Sequence, residues 1–203
     1  MSYFNTTKLD ISWYLGESVE EMARGLLGNY LCTNIDGNIV KGMIVETEAY
    51  CGRDDKACHA NNNRRTRRNE IMYATGGHAY VYLCYGMHYL FNVVTNREGY
   101  ADAVLIRALE PVQGLEQMML RRNMTKPDKR ITSGPGAMSQ AMGISLKHYG
   151  QKLTGGEIWI ENGQKIQENR VGVTTRVGVQ YAGEDALKLW RFYVKDNGWV
   201  SKL

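Results

Sequence analysis

The stretch that most constrains the fold is Met43 to His59, MIVETEAYCGRDDKACH, because two glutamates fall inside a run that otherwise reads as a strand. Its first half is rich in β-branched residues, and side chains in a strand alternate between faces. Ile44, Glu46, Glu48 and Tyr50 are therefore expected on one face, with Met43, Val45, Thr47 and Ala49 on the other against a core. Desolvated carboxylates need partners. A half-buried strand that sets two of them beside a tyrosine is costly to build for stability alone and points to chemistry. On this stretch alone, an edge strand with solvated glutamates accounts for the pattern equally well.

A chain of 203 residues is long enough to bury a core as one domain, residues 1–203, without disulfides or a structural metal. Lys and Arg total 25 against 21 Asp and Glu, a net +4 that gives a mild bias toward polyanions and no more. The four cysteines, Cys32, Cys51, Cys58 and Cys84, form no C-x-x-C pair, and the opening MSYFNTTKLD lacks the apolar core of a signal peptide, so a reduced, cytoplasmic protein is expected. No apolar run approaches a membrane span. A zinc site drawn from Cys51, Cys58, His59, His78 and Cys84 is the competing use of those residues, but their spacings match no ordinary zinc pattern, and no metal is expected.

Along the chain, Ser18 to Leu27 opens with the capping-box pair Ser18 and Glu21 and sets Val19, Met22, Ala23, Leu26 and Leu27 on one stripe before Gly28, a helix packed on the core. Tyr30 to Ile35 and Asn38 to Tyr50 flank Asp36-Gly37, a two-residue turn signal, so the glutamate strand is the second arm of a hairpin. Asn61 to Glu70, NNNRRTRRNE, is loop-like; Arg64, Arg65, Arg67 and Arg68 suit phosphates or simply a solvated surface. Ala103 to Arg107, AVLIR, reads as a short buried strand ending on an arginine, with Ala103, Leu105 and Arg107 on one face, so that Arg107 can reach the glutamates. Leu115 to Arg122 is a helix. Met124 to Ile131 is solvated. Ser133 to Ile144, SGPGAMSQAMGI, places glycines and Pro135 at the start of a short helix whose exposed amides, near Gly134 and Gly136, suit a phosphate. Glu157 to Glu161 with an Asn162-Gly163 turn, Arg176 to Tyr181, and Trp190 to Lys195 read as strands. The sum is an α+β domain: a curved antiparallel sheet with surrounding helices.

A second hairpin is expected within Ala79 to Asn96, AYVYLCYGMHYLFNVVTN, whose ends read as two strands. Hairpin tips normally carry polar turn residues, whereas this one offers Tyr85, Gly86, Met87 and His88. An apolar tip on a basic protein suits a wedge between stacked bases, as minor-groove proteins use; by these residues alone a tip folded under another loop or an oligomer contact is the preferred reading, because buried tyrosines are common.

The ordered series IVETEAY, ACHA, TRRN, YVYLCYGMHYLFNVV, AVLIRALEP, SGPGAMSQAMGI, TRVGV and WRFYV resembles the alkyladenine (3-methyladenine) DNA glycosylase family over about Ile11 to Val200. The resemblance implies a single mixed α/β domain built on an antiparallel sheet, and a protruding β-hairpin that enters the minor groove of duplex DNA carrying a damaged purine, with no cofactor and a monomer as the default. By the same resemblance Glu48 matches the glutamate that activates water and Arg107 the arginine that positions it. Tyr50, His59 and Tyr82 match the residues enclosing the flipped base, Asn92 the pocket asparagine that crowds the guanine amine, and Tyr85 and Met87 the residues inserted at the DNA. Glu46 is given a supporting role. Ala137 stands where many relatives have lysine after the glycine-proline-glycine, which weakens the phosphate contact expected there. The implied reaction is hydrolysis of the N-glycosidic bond of 3-methyladenine or 7-methylguanine, with hypoxanthine and ethenoadenine as further candidates. A lesion-binding module without catalysis and a hydrolase of free modified nucleosides are the alternatives.

Overall fold

The computed structural model describes residues 7–16 and 18–201. A helix, α1 (Val19–Leu26), starts where expected: Ser18 accepts a hydrogen bond from the Glu21 amide, and Val19, Met22, Ala23 and Leu26 are buried. Strands β1 (Tyr30–Ile35) and β2 (Asn38–Tyr50) then form the expected hairpin, with Asp36 and Gly37 both at positive φ, 54° and 76°, as a twisted two-residue turn demands.

The hairpin β3 (Ala79–Cys84) and β4 (His88–Thr95) leads into β5 (Asp102–Gln113), and shorter strands follow: β6 (Thr154–Gly155), β7 (Ile158–Glu161), β8 (Val171–Thr174) and β9 (Arg191–Val194). The sheet runs β3-β4-β5-β2-β1-β7-β6 and is antiparallel at every pairing described. β2 is its centre: β5 lies along one side, while β1 covers the first half of the other side and β9, itself paired to β8, the second half. An edge strand with solvated glutamates is thereby excluded. Two further helices, α2 (Leu115–Arg121) and α3 (Pro135–Met142), join α1 over the face that carries Val45, Ala49, Phe91, Val93, Val104 and Ile106.

Several expectations need correction. Ile44 does not share the glutamates' face but is core, as is Val45. The pairing with β5 steps from Ile44↔Leu109 to Glu46↔Ala108 and then to Thr47↔Ile106, so an extra residue bulges first on β2 and then on β5. Such bulges re-aim side chains and bend the sheet. The strand carrying Arg107 does not stop there but continues to Gln113, past Pro111. Arg176 to Tyr181 is not a strand: the guanidinium of Arg176 is drawn inside by Asp55, Gly178 turns the chain at φ 76°, and Gln180–Leu187 winds in 3-10 turns. The strand before it, β8, was not anticipated, and Asn162-Gly163 ends β7 without closing a hairpin.

Candidate active site

Opposite the helices, the alternation of four strands builds a concave face. Register sets Tyr80, Asn92, Leu105 and Glu48 side by side across β3, β4, β5 and β2, with Ala103 beside Tyr50 in the next row. These residues, with Arg107, His59 and Tyr82, line a cavity of about 760 Å³. Its walls also include the Val177–Val179 turn, Tyr181, and the entry into α3 from Ser133 to Ala137.

Glu48 is fully buried, and each of its oxygens is held. The Val177 amide donates to Oε1 at 2.8 Å, Arg107 Nη1 lies 3.2 Å from the same oxygen, and the Tyr50 hydroxyl donates to Oε2 at 2.8 Å. Burial, then the adjacent Glu48 carboxylate, pushes the Tyr50 hydroxyl well above its ordinary pKa, so it stays a donor. Glu46, two residues earlier, does not line the cavity. Its Oε1 accepts from Arg107 Nε and Arg191 Nε, both at 2.7 Å, and from the Ser201 hydroxyl at 2.8 Å; its Oε2 accepts from the Ser201 amide at 2.7 Å. Burial raises the Glu46 pKa, but Arg107, Arg191 and the Ser201 amide outweigh it and hold the carboxyl below the usual glutamate value.

His59 packs edge-on against Tyr82, ring centroids 4.7 Å apart, with Nδ1 2.7 Å from the Tyr80 hydroxyl. Burial, helped by the Arg68 charge, pushes the imidazole down to about 4, so the ring is neutral at pH 7. Asn92 Nδ2 donates to the Tyr80 carbonyl at 3.0 Å. At the mouth, the tip of the β3–β4 hairpin is bare: Tyr85 is 87% exposed and Met87 69%, so in this chain the tip is not folded under a loop.

Residues 13–198 match the pattern of the family described as methylpurine-DNA glycosylase (MPG). The chain belongs to that family. With it comes the activity class, a DNA glycosylase of DNA repair acting on damaged DNA. Similar proteins include a provisionally named 3-methyladenine DNA glycosylase of Natranaerobius thermophilus, 44% identical over 196 residues that cover 96% of this chain and 98% of that one. Another of the same name from Chlamydia pneumoniae is 48% identical over 191 residues, covering 93% and 96%. A provisionally named DNA-3-methyladenine glycosylase of Encephalitozoon cuniculi is 41% identical over 189 residues, covering 92% and 90%.

In this glycosylase the cavity gathers Glu48, Arg107, Tyr50, His59, Tyr82 and Asn92, reaches Tyr85 at its rim, and leaves Met87 outside on the tip. The arginine run is split. Arg68 lines the cavity with its guanidinium 4.9 Å from the Tyr82 ring centre, Arg65 is spent on Glu70, and Arg64 and Arg67 are exposed and do not line it. Gly134 and Gly136 both line it, but Gly136 has a packing reason of its own: a Cβ there would sit 2.9 Å from the His88 ring. Sequence reasoning missed Asp55, Arg176, Val177, Arg191 and Ser201. TRVGV holds two of these and WRFYV a third, but both read only as strands. Among the described residues no three His, Cys, Asp or Glu side chains cluster as a metal site, and no helix is long and apolar enough to cross a membrane.

Proposed function

We propose that this glycosylase hydrolyses the N-glycosidic bond of N-alkylated purines, 3-methyladenine and 7-methylguanine among them, after the damaged nucleotide leaves the duplex and enters the cavity. The observation that carries this reading is a buried carboxylate, Glu48, on the floor of an aromatic cavity whose rim bears an exposed apolar hairpin tip. A base inside a duplex is out of reach, and extrusion costs a few kcal/mol, least for a damaged pair. Tyr85, projecting into solvent, fills the vacated stack and offsets part of that cost.

N-alkylation makes a purine cationic and a better leaving group. Electron-rich Tyr50 and Tyr82 rings favour the cation over a normal purine by roughly 0.5 to 2 kcal/mol. As the bond breaks, the sugar gains oxocarbenium character. Glu48 stabilises that charge and takes a proton from the attacking water, while Arg107, the Val177 amide and the Tyr50 hydroxyl hold its carboxylate in place. Asn92, anchored to the Tyr80 carbonyl on the cavity wall, is the side chain we assign to crowd the exocyclic amine of guanine. Hypoxanthine and ethenoadenine are neutral and need a proton on departure, so they are expected to be slower substrates.

The test is single-turnover release of methylated purines from alkylated duplex DNA. The expected products are free base and an abasic strand that stays uncut until treated with alkali, because water is the nucleophile. Lesion binding without release would instead mean a binding module, and release from free methylated nucleosides with none from DNA would mean a nucleoside hydrolase.

A further inference from the structure

Behind the cavity wall, outside the set of groups that line it, sits a fully buried ion pair. Arg176 donates to both oxygens of Asp55, at 2.5 and 2.7 Å, and neither side chain is exposed. The same guanidinium donates to the Ala49 carbonyl at 2.9 Å and the Asp185 carbonyl at 3.0 Å. It lies 4.8 Å from the Tyr50 ring centre and 5.1 Å from that of Trp190. Asp55 in turn accepts from the amides of Ala57 at 3.1 Å and Cys51 at 3.4 Å, which shapes the loop leading to His59.

These contacts converge on Glu48. Ala49 and Tyr50 are its neighbours on β2, and Val177, whose amide holds Oε1, is the residue after Arg176. The Tyr50 hydroxyl, which holds Oε2, belongs to the ring beside the Arg176 guanidinium. Both hydrogen bonds to Glu48, one on each oxygen, therefore come from groups that Arg176 fixes. Stability alone is a weak reason for such a pair, since replacing a buried ion pair with apolar groups is often neutral or stabilising. The planar, multidentate guanidinium is suited instead to joining several backbone and side-chain acceptors in one geometry.

We propose that the Asp55–Arg176 pair is a positioning element for hydrolysis: it touches neither water nor base, and acts by fixing the Val177 amide and the Tyr50 hydroxyl on the two oxygens of Glu48. The inference rests on the hydrolytic reading above. A carboxylate displaced by a fraction of an ångström still leaves the cavity able to bind, so the loss falls on the chemical step rather than on affinity.

The experiment measures single-turnover release from alkylated duplex DNA and, separately, affinity for a lesion duplex, in wild type, Arg176→Lys, Asp55→Asn, Glu48→Gln and the Arg176→Lys/Glu48→Gln double variant. Arg176→Lys keeps the charge and loses the fork. It is expected to slow release by about tenfold or more while affinity changes by less than about threefold. In the Glu48→Gln background the same substitution is expected to change the residual rate by less than about twofold, since groups acting as a unit are not additive. Asp55→Asn should show the same split with a smaller loss, and it carries the test if Arg176→Lys fails to fold. Met118→Ala, a core truncation under α2 that does not line the cavity, serves as the stability control and should keep the wild-type rate. Wild-type rates in folded Arg176→Lys, or an equal proportional loss with and without Glu48, would overturn the proposal. Absence of release by the wild type would instead overturn the hydrolytic reading on which it rests.

Discussion

Glu46 and Glu48 are separated by one residue on one strand and are equally buried, yet their surroundings differ in kind. Glu46 is closed in on itself: two arginines and Ser201 take up its oxygens, and none of its surface meets the cavity. Glu48 is held by one partner group on Oε2 and two on Oε1, and it faces a space large enough for a purine nucleotide. The difference teaches that burial of a carboxylate says nothing about its work; what distinguishes the two is whether the partners leave a lone pair facing a cavity. Arg107 connects them, with Nε on Glu46 and Nη1 beside Glu48, so the closed side fixes an arginine for the open side.

Substitutions can break this contrast at different points. The largest effect is expected from Glu48→Gln, which keeps shape and removes the proposed base: single-turnover release should fall by about 10²- to 10⁴-fold, with lesion-duplex affinity retained. Glu46→Gln should act first on the fold. Removing one member of a buried ion-pair network costs about 3–5 kcal/mol, measurable as a lowered urea midpoint, with a secondary loss of rate through Arg107. The same variant should lose part of the acid limb of stability. With its folded pKa below the unfolded one, Glu46 contributes stability above the unfolded value that disappears as pH falls through the folded value.

The rim should separate from the floor. Tyr85→Ser alters an exposed residue, so the unfolding midpoint is expected to stay put, while release from duplex DNA drops more than release from a single strand of the same sequence, where no stack needs filling. The smallest effect concerns His59, held down to about 4. Between its unfolded value near 6.5 and about 4 the unfolded chain binds a proton that the folded one does not, so stability falls as pH drops through that window. His59→Gln should flatten the urea midpoint there relative to wild type.

The parts of this arrangement that were legible beforehand are those written locally. Ser18 with Glu21 capped α1, Asp36-Gly37 closed the first hairpin, and Tyr85 at a tip flanked by alternating apolar residues marked the second. Period-two alternation placed Glu48 with Tyr50 on one strand, and Leu105 with Arg107 on a face of another. What stayed hidden depends on partners distant in the chain or on a single displaced residue. The paired bulges at Val45 and Arg107 upset the strict alternation that had put Ile44 beside the glutamates. Glu46 is satisfied from Arg191 and Ser201, and Glu48 from Val177, by segments more than a hundred residues away in the chain, and no local pattern announces such pairings. Arg176 sat in a run that alternates like a strand, and only its ion pair with Asp55 shows why the run bends inward instead.

The most direct measurement sets Glu46→Gln and Glu48→Gln side by side, recording urea unfolding and single-turnover base release for each. The account predicts a crossing: Glu48→Gln nearly inert but the less destabilised of the two, since it loses one arginine pairing where Glu46 loses two, and Glu46→Gln clearly less stable yet still releasing base under conditions where it is folded. An inert, fully stable Glu46→Gln beside an active Glu48→Gln would contradict it and move the chemistry to the other carboxylate.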